Sequence, residues 1–378
     1  MSQGAGIQER ARKYSLKKYT LVLLDTAVTL ALLLVFLATG LSRVLAEGLG
    51  FIFSGSYFVV PAYLLIVFLA YYLITFLLTF YQSYTLEHEF SLSRQSFKDW
   101  LLDQLKSCVI SYIIGLILIT VFYFILNRFP GDWWLVIWVF WIFFSIVMAK
   151  LLPVLIIPLF FKYKKLDDEA LRQKIIALAG KMKVRLLDVF EIDLSKKSLK
   201  GNAAFVGVGN TRRVLLADTL KDKYTHEEIE VILAHEFAHY RLKHLLKLIL
   251  VNSAVTLVTF FVIYATSNSV LWLFGLASLS ELAALPLLFL YFTVFGVILQ
   301  PFGAFISRVF ERSADRMAIQ VTGGKDAFIS TMDKLGDQNL SDRNPHPLIK
   351  FYFFDHPPID ERIKLARDGS QANLKVSP

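Results

Sequence analysis

Six long apolar runs constrain the fold of this chain more than any other feature. Hydrophobic residues make up 56% of the 378 residues, and charged residues only 19%. Each run reaches the roughly 20 residues that a helix needs to cross a bilayer. The runs cover residues 19–41, 51–81, 105–126, 133–161, 245–267 and 282–306. The chain is therefore predicted to be a mainly α-helical, polytopic membrane protein with about six transmembrane helices.

A further apolar stretch, residues 270–280, is too short to cross a bilayer and is closed by Glu281. It is predicted to be an interfacial loop, with a seventh span as the alternative. Six spans divide the chain into four regions. These are a transmembrane region of four spans (1–161), a polar domain (162–244), two further spans (245–306) and a C-terminal region (307–378).

Basic residues are distributed unevenly around the spans. The loop after the first run carries only Arg43, whereas five basic residues precede that run: Arg10, Arg12, Lys13, Lys17 and Lys18. Because basic residues accumulate on the cytoplasmic side, both termini and the polar domain are predicted to be cytoplasmic. This bias and contact with anionic lipids explain the net charge of +9, so membrane lipids are predicted partners and nucleic acid is not. The single cysteine, Cys108, excludes an internal disulfide and a multi-cysteine metal site.

The most informative motif is His-Glu-Phe-Ala-His at residues 235–239. Two histidines four residues apart lie on one face of a helix and can bind one metal ion. A glutamate between them can take a proton from an attacking water molecule and deliver it to a leaving amine. The motif therefore predicts a zinc peptidase with His235 and His239 as ligands and Glu236 as the general base. The alternative is a solvated, charged helix without a metal ion.

The polar domain shows both helical and strand patterns, and it is long enough for a core of its own. The patterns predict a helix over 168–183, a strand over 184–192, and strands over 201–209 and 213–217 joined by a turn at 209–211. The last two strands are predicted to form a hairpin at the edge of a sheet. The domain is therefore predicted to be an α+β metalloprotease domain of the zincin type.

A capping box of Thr225 and Glu228 is predicted to begin the helix that holds the HExxH motif. No glycine or proline occurs in residues 225–267. This helix is therefore predicted to continue into the fifth span and to hold the metal near the membrane surface.

Catalytic zinc sites use three protein ligands and keep the fourth position open. Glu311 and Asp315 lie just past the sixth run, four residues apart and on one helix face. Glu311 is the predicted third ligand, and Asp315 is predicted to accept the second ring N–H of a ligating histidine. The alternative is a charged helix on which these residues pair with neighbouring arginines.

Several strings, in this order, resemble one known family, the integral-membrane type I CAAX prenyl endopeptidases. These are zinc proteases that trim prenylated C-termini. The similar strings are KGNAAF at 200–205, HEFAH at 235–239, SRVFERSAD at 307–315 and DHPPIDERI at 355–363. The resemblance covers most of the chain.

The resemblance implies a complete active site. One zinc ion is bound by His235, His239 and Glu311, Glu236 is the general base, and Asp315 supports a ligand. The implied partner is a peptide or protein substrate. Whether that substrate is lipidated or membrane-bound is left open.

The resemblance also implies a substrate-binding strand, which in the family is an edge strand that pairs with the substrate backbone. It corresponds here to Asn202, Ala203, Ala204 and Phe205. Pairing with an exposed strand places the scissile carbonyl through main-chain hydrogen bonds. The alternative is an ordinary buried strand near a turn.

His356 and Arg362 resemble positions close to the family's cleft. There they would stabilise a developing oxyanion or hold a substrate carboxylate. The alternative is a turn at Pro357-Pro358 followed by a surface helix. His244, five residues beyond the motif, is predicted to face away from the metal and to be structural only.

The animal and fungal members of this family have an additional span and long insertions, whereas this chain is compact and has six predicted spans. This suggests a prokaryotic member in an inner (cell) membrane. Three functions are consistent with the residues. The first is a zinc endopeptidase of the CAAX type, the second is a quality-control protease without a prenyl requirement, and the third is a transporter or scaffold with a structural zinc.

Overall fold

The computed structural model describes residues 2–53, 56–207 and 212–372, which are mostly helical. Short π-helical turns, Tyr81–Thr85 and Leu152–Ile156, join α3 to α4 and α6 to α7. The α-helices in the described ranges are α1 (Ser2–Ala38), α2 (Leu41–Ile52), α3 (Ser56–Phe80), α4 (Leu86–Glu89), α5 (Phe97–Arg128), α6 (Trp133–Leu151), α7 (Ile157–Phe160), α8 (Glu169–Lys181), α9 (Asp218–Lys221), α10 (His226–Arg241), α11 (His244–Leu273), α12 (Leu285–Thr322), α13 (Lys325–Gln338), α14 (Pro347–Phe353) and α15 (Ile359–Ala372).

Six helical stretches of the described residues are long and apolar enough to cross a membrane, which confirms the predicted number of spans. They are Gly6–Ala38, Tyr57–Glu89, Phe97–Arg128, Trp133–Leu151, His244–Leu273 and Leu282–Thr322. The predicted interfacial loop at 270–280 is wrong in its first part. The apolar residues after 270 continue α11 to Leu273, and the chain turns only near Gly275, which has a φ of 63°.

Polar groups link the helices within the apolar bundle. The hydroxyl of Ser42 lies 2.7 Å from the Tyr63 hydroxyl and donates to the carbonyl of Ala283 at 2.6 Å. The indole N–H of Trp138 donates to the carbonyl of Ser253 at 2.7 Å. These bonds satisfy polar groups that would otherwise be unpaired among apolar side chains.

The polar domain contains a four-stranded sheet. Its strands are β1 (Tyr163–Lys165), β2 (Asp188–Ile192), β3 (Ala203–Val206) and β4 (Arg213–Ala217), in the order β1-β2-β4-β3. β2 and β4 are parallel, and the other two pairs are antiparallel. The predicted hairpin is present as β3 and β4, and β3 lies at the sheet edge. Its predicted turn at 209–211 lies outside the described residues, and β1 was not predicted.

Helices α8 and α10 pack beneath this sheet. Ile229, Leu233 and Phe237 of α10 are fully buried in one cluster with Val214 and Leu216 of β4. Burial of side chains of this size contributes about 1.5–3 kcal/mol each. The α10 helix, which contains the HExxH motif, is therefore fixed along its length against the sheet.

The predicted continuous helix from 225 into the fifth span is wrong. α10 ends at Arg241, and Lys243 takes a left-handed conformation (φ 56°, ψ 36°) before α11 begins at His244. The break lets α10 pack on the sheet while α11 crosses the membrane. The unbroken connection is instead α12, which runs as one helix through the sixth span to Thr322 and includes Glu311.

Candidate metal centre and substrate cleft

Three potential metal ligands converge from two helices. His235 and His239 extend from α10, and Glu311 extends from α12, which packs against it. The Nε2 atoms of the two histidines are 3.0 Å apart. The Glu311 carboxylate lies 3.1 Å from His235 Nε2 through Oε2 and 3.2 Å from His239 Nε2 through Oε1.

These distances fit a zinc ion. Tetrahedral zinc with bonds of 2.0–2.1 Å holds its ligand atoms about 3.3 Å apart. The buried Oε2 atom of Glu311 makes no hydrogen bond with any described residue, so a ligand from outside the chain would satisfy it. Both observations match the donor set of a catalytic zinc site.

His235 is held from behind by a buried ion pair. Its Nδ1 lies 2.8 Å from Oδ1 of Asp315, which is completely buried. Arg362 of α15 donates to Asp315 through Nε (2.8 Å) and Nη2 (2.6 Å). Asp315 thus lies beside His235, a candidate metal ligand, in the position that the sequence predicted. Arg362 was predicted to contact substrate or an oxyanion, but its main partner in the structure is Asp315.

His239 has a partner that sequence analysis missed. Its Nδ1 lies 3.0 Å from Nδ1 of His244, and His244 Nε2 lies 3.1 Å from the Ser313 hydroxyl. In one continuous helix, His244 would face away from the candidate ligands His235 and His239. The break at Lys243 brings it to them instead, and no sequence signal marked that break.

The electrostatics of the HExxH helix follow from burial and carboxylate neighbours. Burial lowers the pKa of His235, but the hydrogen bond to Asp315 and the neighbouring carboxylate of Glu311 outweigh it and raise the pKa to about 9. Burial also raises the pKa of the Glu236 carboxyl, against the lowering influence of the histidines. His235 therefore sits in a strongly cation-favouring site, which suits a divalent metal ion.

A cavity of about 610 Å³ opens onto the candidate metal site. On one side it is lined by His235 and Glu236 and by Asn202 and Ala203 at the start of β3. Its lining also includes residues of α1 that sequence analysis did not predict, among them Tyr14, Lys18 and Tyr19. A volume of this size is typical of a binding pocket.

Phe205, the last residue of the predicted substrate-binding strand, packs β3 against α10. The ring of Phe205 lies 5.1 Å from that of Phe237 and 5.6 Å from that of Tyr240, both edge-on. Phe205 is thus a packing residue, whereas Asn202 and Ala203 line the cavity. Ala204 lies between them on the edge strand.

His356 also lines the cavity. Its Nδ1 lies 2.9 Å from Asp355, and its Nε2 lies 3.4 Å from Oε2 of Glu311. Burial lowers the pKa of His356, but the hydrogen bond to Asp355 and the charge of Glu311 outweigh it and raise the pKa. The structure therefore brings this C-terminal histidine to the metal site, as the sequence predicted.

Two family patterns match the chain. The first is the pattern of the CAAX prenyl protease N-terminal region, which has five membrane helices, and it matches residues 7–162. That of peptidase family M48 matches residues 165–369. The chain belongs to peptidase family M48. Within the described part of residues 7–162, four helices qualify as spans, and the 12-residue α2 lies between the first two.

Individual relatives agree with this assignment. A Bacillus subtilis protein named an uncharacterized metalloprotease, YhfN, is 33% identical over 293 residues, which make up 76% of this chain and 69% of that protein. CAAX prenyl protease 1 of Saccharomyces cerevisiae is 30% identical over 305 residues, 76% and 67% of the two chains. The crystal structure of S. mikatae Ste24p matches with a TM-score of 0.86 and 25% identity, covering 96% of this chain and 89% of that chain.

Membership of the M48 family and the fold together make the chain a multi-pass membrane metalloendopeptidase. Members of this family are zinc-dependent in general. The predicted fold class, enzyme class and family resemblance are confirmed. The predicted prokaryotic origin stays a prediction.

Proposed function

We propose that His235, His239 and Glu311 hold one zinc ion and that Glu236 is the general base of a membrane endopeptidase. The observation that supports this most strongly is the set of 3.0–3.2 Å separations among the three ligating residues. Glu236 lines the cavity beside them. When bound, zinc would polarise the scissile carbonyl and lower the pKa of a water molecule.

Glu236 moves the proton. Its carboxylate is a stronger proton acceptor than an exposed glutamate, because burial raises its pKa. It receives a proton from the attacking water molecule and delivers it to the leaving amine nitrogen. His356, at the cavity wall and oriented by Asp355, is placed to donate a hydrogen bond to the developing oxyanion.

The substrate backbone pairs with β3. Within the described sheet, this strand is bonded only to β4, so its outer edge is available to an extended peptide. The carbonyl of Asn202 accepts from the N–H of Ala217 at 3.1 Å, and the antiparallel alternation then turns the backbone groups of Ala203 outward. Pairing at Ala203 would lay the peptide across the cavity in front of Glu236.

The proposed substrates are prenylated C-terminal peptides at the membrane surface. Relatives named CAAX prenyl proteases support this class. The cavity supports a membrane-attached substrate, because one wall belongs to α1, a candidate span, and Gln300 of α12 contributes to it as well. A lipid group attached to the peptide could thus lie against the membrane-spanning helices next to the cleft.

The active site is proposed to face the cytoplasm. The basic start of α1 lies at the end of the bundle where the catalytic domain sits. Arg10 donates to the carbonyl of Phe90 at 3.2 Å, and Lys200 of the catalytic domain pairs with Glu87 at 2.7 Å. Basic residues accumulate on the cytoplasmic side, so this end is assigned to it. We also propose a location in the cell membrane of a prokaryote, because the chain is compact and has six candidate spans.

The test uses one peptide in two forms, prenylated and unmodified. Purified protein in lipid bilayers is incubated with each, and fragment termini are identified by mass spectrometry. Glu236→Gln is the inactive variant, and Glu227→Gln, an exposed glutamate of the same helix, is its matched control. We expect cleavage of the prenylated form by the wild type and Glu227→Gln, and none by Glu236→Gln. Cleavage by Glu236→Gln would contradict the mechanism, and equal cleavage of both peptides would contradict the prenyl requirement.

A further inference from the structure

We propose that His244 and Ser313 are positioning residues that fix the tautomer and orientation of His239 for metal binding. This inference rests on the proposed zinc site. It concerns a hydrogen-bonded chain from His239 through His244 and Ser313 to the carbonyl of Phe310, which we call the His244 chain.

The geometry of the His244 chain is continuous. Nδ1 of His239 lies 3.0 Å from Nδ1 of His244. Nε2 of His244 lies 3.1 Å from Oγ of Ser313, which donates its hydrogen to the Phe310 carbonyl at 2.7 Å. His244 is 2% exposed, so water has little access to its ring nitrogens.

Only one arrangement of protons suits a metal ligand. The Ser313 hydrogen is directed to the Phe310 carbonyl, so Oγ is left to accept the Nε2–H of His244. Nδ1 of neutral His244 then accepts the Nδ1–H of His239. This leaves the lone pair on Nε2 of His239, directed at the metal site. In the reversed arrangement His244 donates, the proton of His239 moves to Nε2, and metal binding is blocked.

Packing holds His244 in this arrangement. Its ring is stacked on Phe310, with centroids 4.6 Å apart and planes 7° apart. The left-handed Lys243 immediately before it sets the start of α11. The two ligating histidines are therefore supported differently, His235 by the charged Asp315 and His239 by a neutral imidazole.

The experiment measures the zinc dissociation constant by competition with a chelator. His244→Phe keeps an aromatic ring on Phe310 but removes the acceptor, and His244→Asn restores an oxygen acceptor near the position of Nδ1. Ser313→Ala removes the acceptor for Nε2–H. Ser145→Ala is its matched control, because that hydroxyl also donates to a helical carbonyl (Trp141, 2.8 Å) but contacts no histidine in the described structure.

We expect His244→Phe to bind zinc about 10–100-fold more weakly, the range typical for loss of a partner behind a ligating histidine. His244→Asn should recover most of this loss, and Ser313→Ala should weaken zinc binding while Ser145→Ala does not. The thermal unfolding of the zinc-free variants separates packing from positioning. Equal zinc affinity in wild type and His244→Phe, or equal losses in the Phe and Asn variants, would overturn the proposal.

If His244→Phe does not fold, Ser313→Ala decides alone, and unchanged zinc affinity in it would overturn the proposal. Absence of zinc binding by the wild type would instead contradict the proposed function. The two failures are therefore distinguishable without any measurement of peptidase activity.

Discussion

Replacement of Asp315 by asparagine tests the buried support of the metal site. Asp315 is completely buried and accepts three hydrogen bonds, one from His235 and two from Arg362. Asparagine is nearly the same size, but its amide turns one acceptor into a donor and leaves the buried guanidinium without a counter-charge. Breaking such a pair costs about 3–5 kcal/mol. Because asparagine keeps some of the hydrogen bonds, we expect the free energy of unfolding to fall by about 3 kcal/mol.

The assay is denaturant unfolding of the zinc-free protein in detergent, followed by tryptophan fluorescence, so that metal binding does not contribute. Glu9→Gln is the control, since its pair with Lys13 is more than 60% exposed on both sides and its removal should leave the free energy of unfolding nearly unchanged. Adding Arg362→Gln to Asp315→Asn should recover more than about 1 kcal/mol by removing the unpaired charge. A cost no larger than that of Glu9→Gln, or strictly additive costs of the two changes, would refute the reasoning.

Three further predictions test other parts of the structure. Arg172 holds the pKa of Asp188 at about 2. The pair therefore stabilises the fold fully above about pH 4, and this stabilisation is lost as the pH falls through about 2. Asp188→Asn should lower the free energy of unfolding at about pH 6 by about 1–2 kcal/mol, which unfolding measured as a function of pH would show. Ala203→Pro removes an outward N–H of β3 and should lower kcat/KM roughly fivefold or more without unfolding, as judged by circular dichroism, whereas Ala204→Pro breaks a bond to β4 and should destabilise the domain. Lys243→Gly should raise the melting temperature, since glycine adopts the left-handed conformation without the roughly 1–2 kcal/mol cost of a side chain. A lower melting temperature would contradict this explanation of the break.

Features set by neighbouring residues could be predicted from the sequence. The capping box of Thr225 and Glu228 is present with both reciprocal hydrogen bonds, because it depends on a spacing of three residues. The six spans follow from composition alone. The proposed ligands His235 and His239 are one turn apart on α10, which needs only helical geometry.

The break between α10 and α11 could not be predicted in the same way. Nothing in residues 225–267 ends a helix locally, and Lys243 adopts its left-handed conformation at a cost of about 1–2 kcal/mol. Packing of α10 beneath the sheet and of α11 among membrane helices outweighs that cost. The contact of His244 with His239 depends on this break, so it was missed as well.

The contribution of α1 to the cleft also depends on distant parts of the chain. The Tyr14 hydroxyl donates to Glu87 at 2.5 Å, and Lys200 donates to Tyr14 at 2.9 Å. These partners are 73 and 186 residues away in sequence. No local pattern connects such residues, and only the assembled fold shows that the first span forms a wall of the cavity.

The most direct test of the account is the zinc content of the purified protein, measured by mass spectrometry for the wild type, Glu236→Gln and Glu311→Gln. We expect about one zinc ion per chain in the wild type and in Glu236→Gln, because three protein ligands remain. We expect Glu311→Gln to lose most of its zinc. A wild type without zinc, or a Glu311→Gln protein that keeps the full amount, would contradict the proposed metal site.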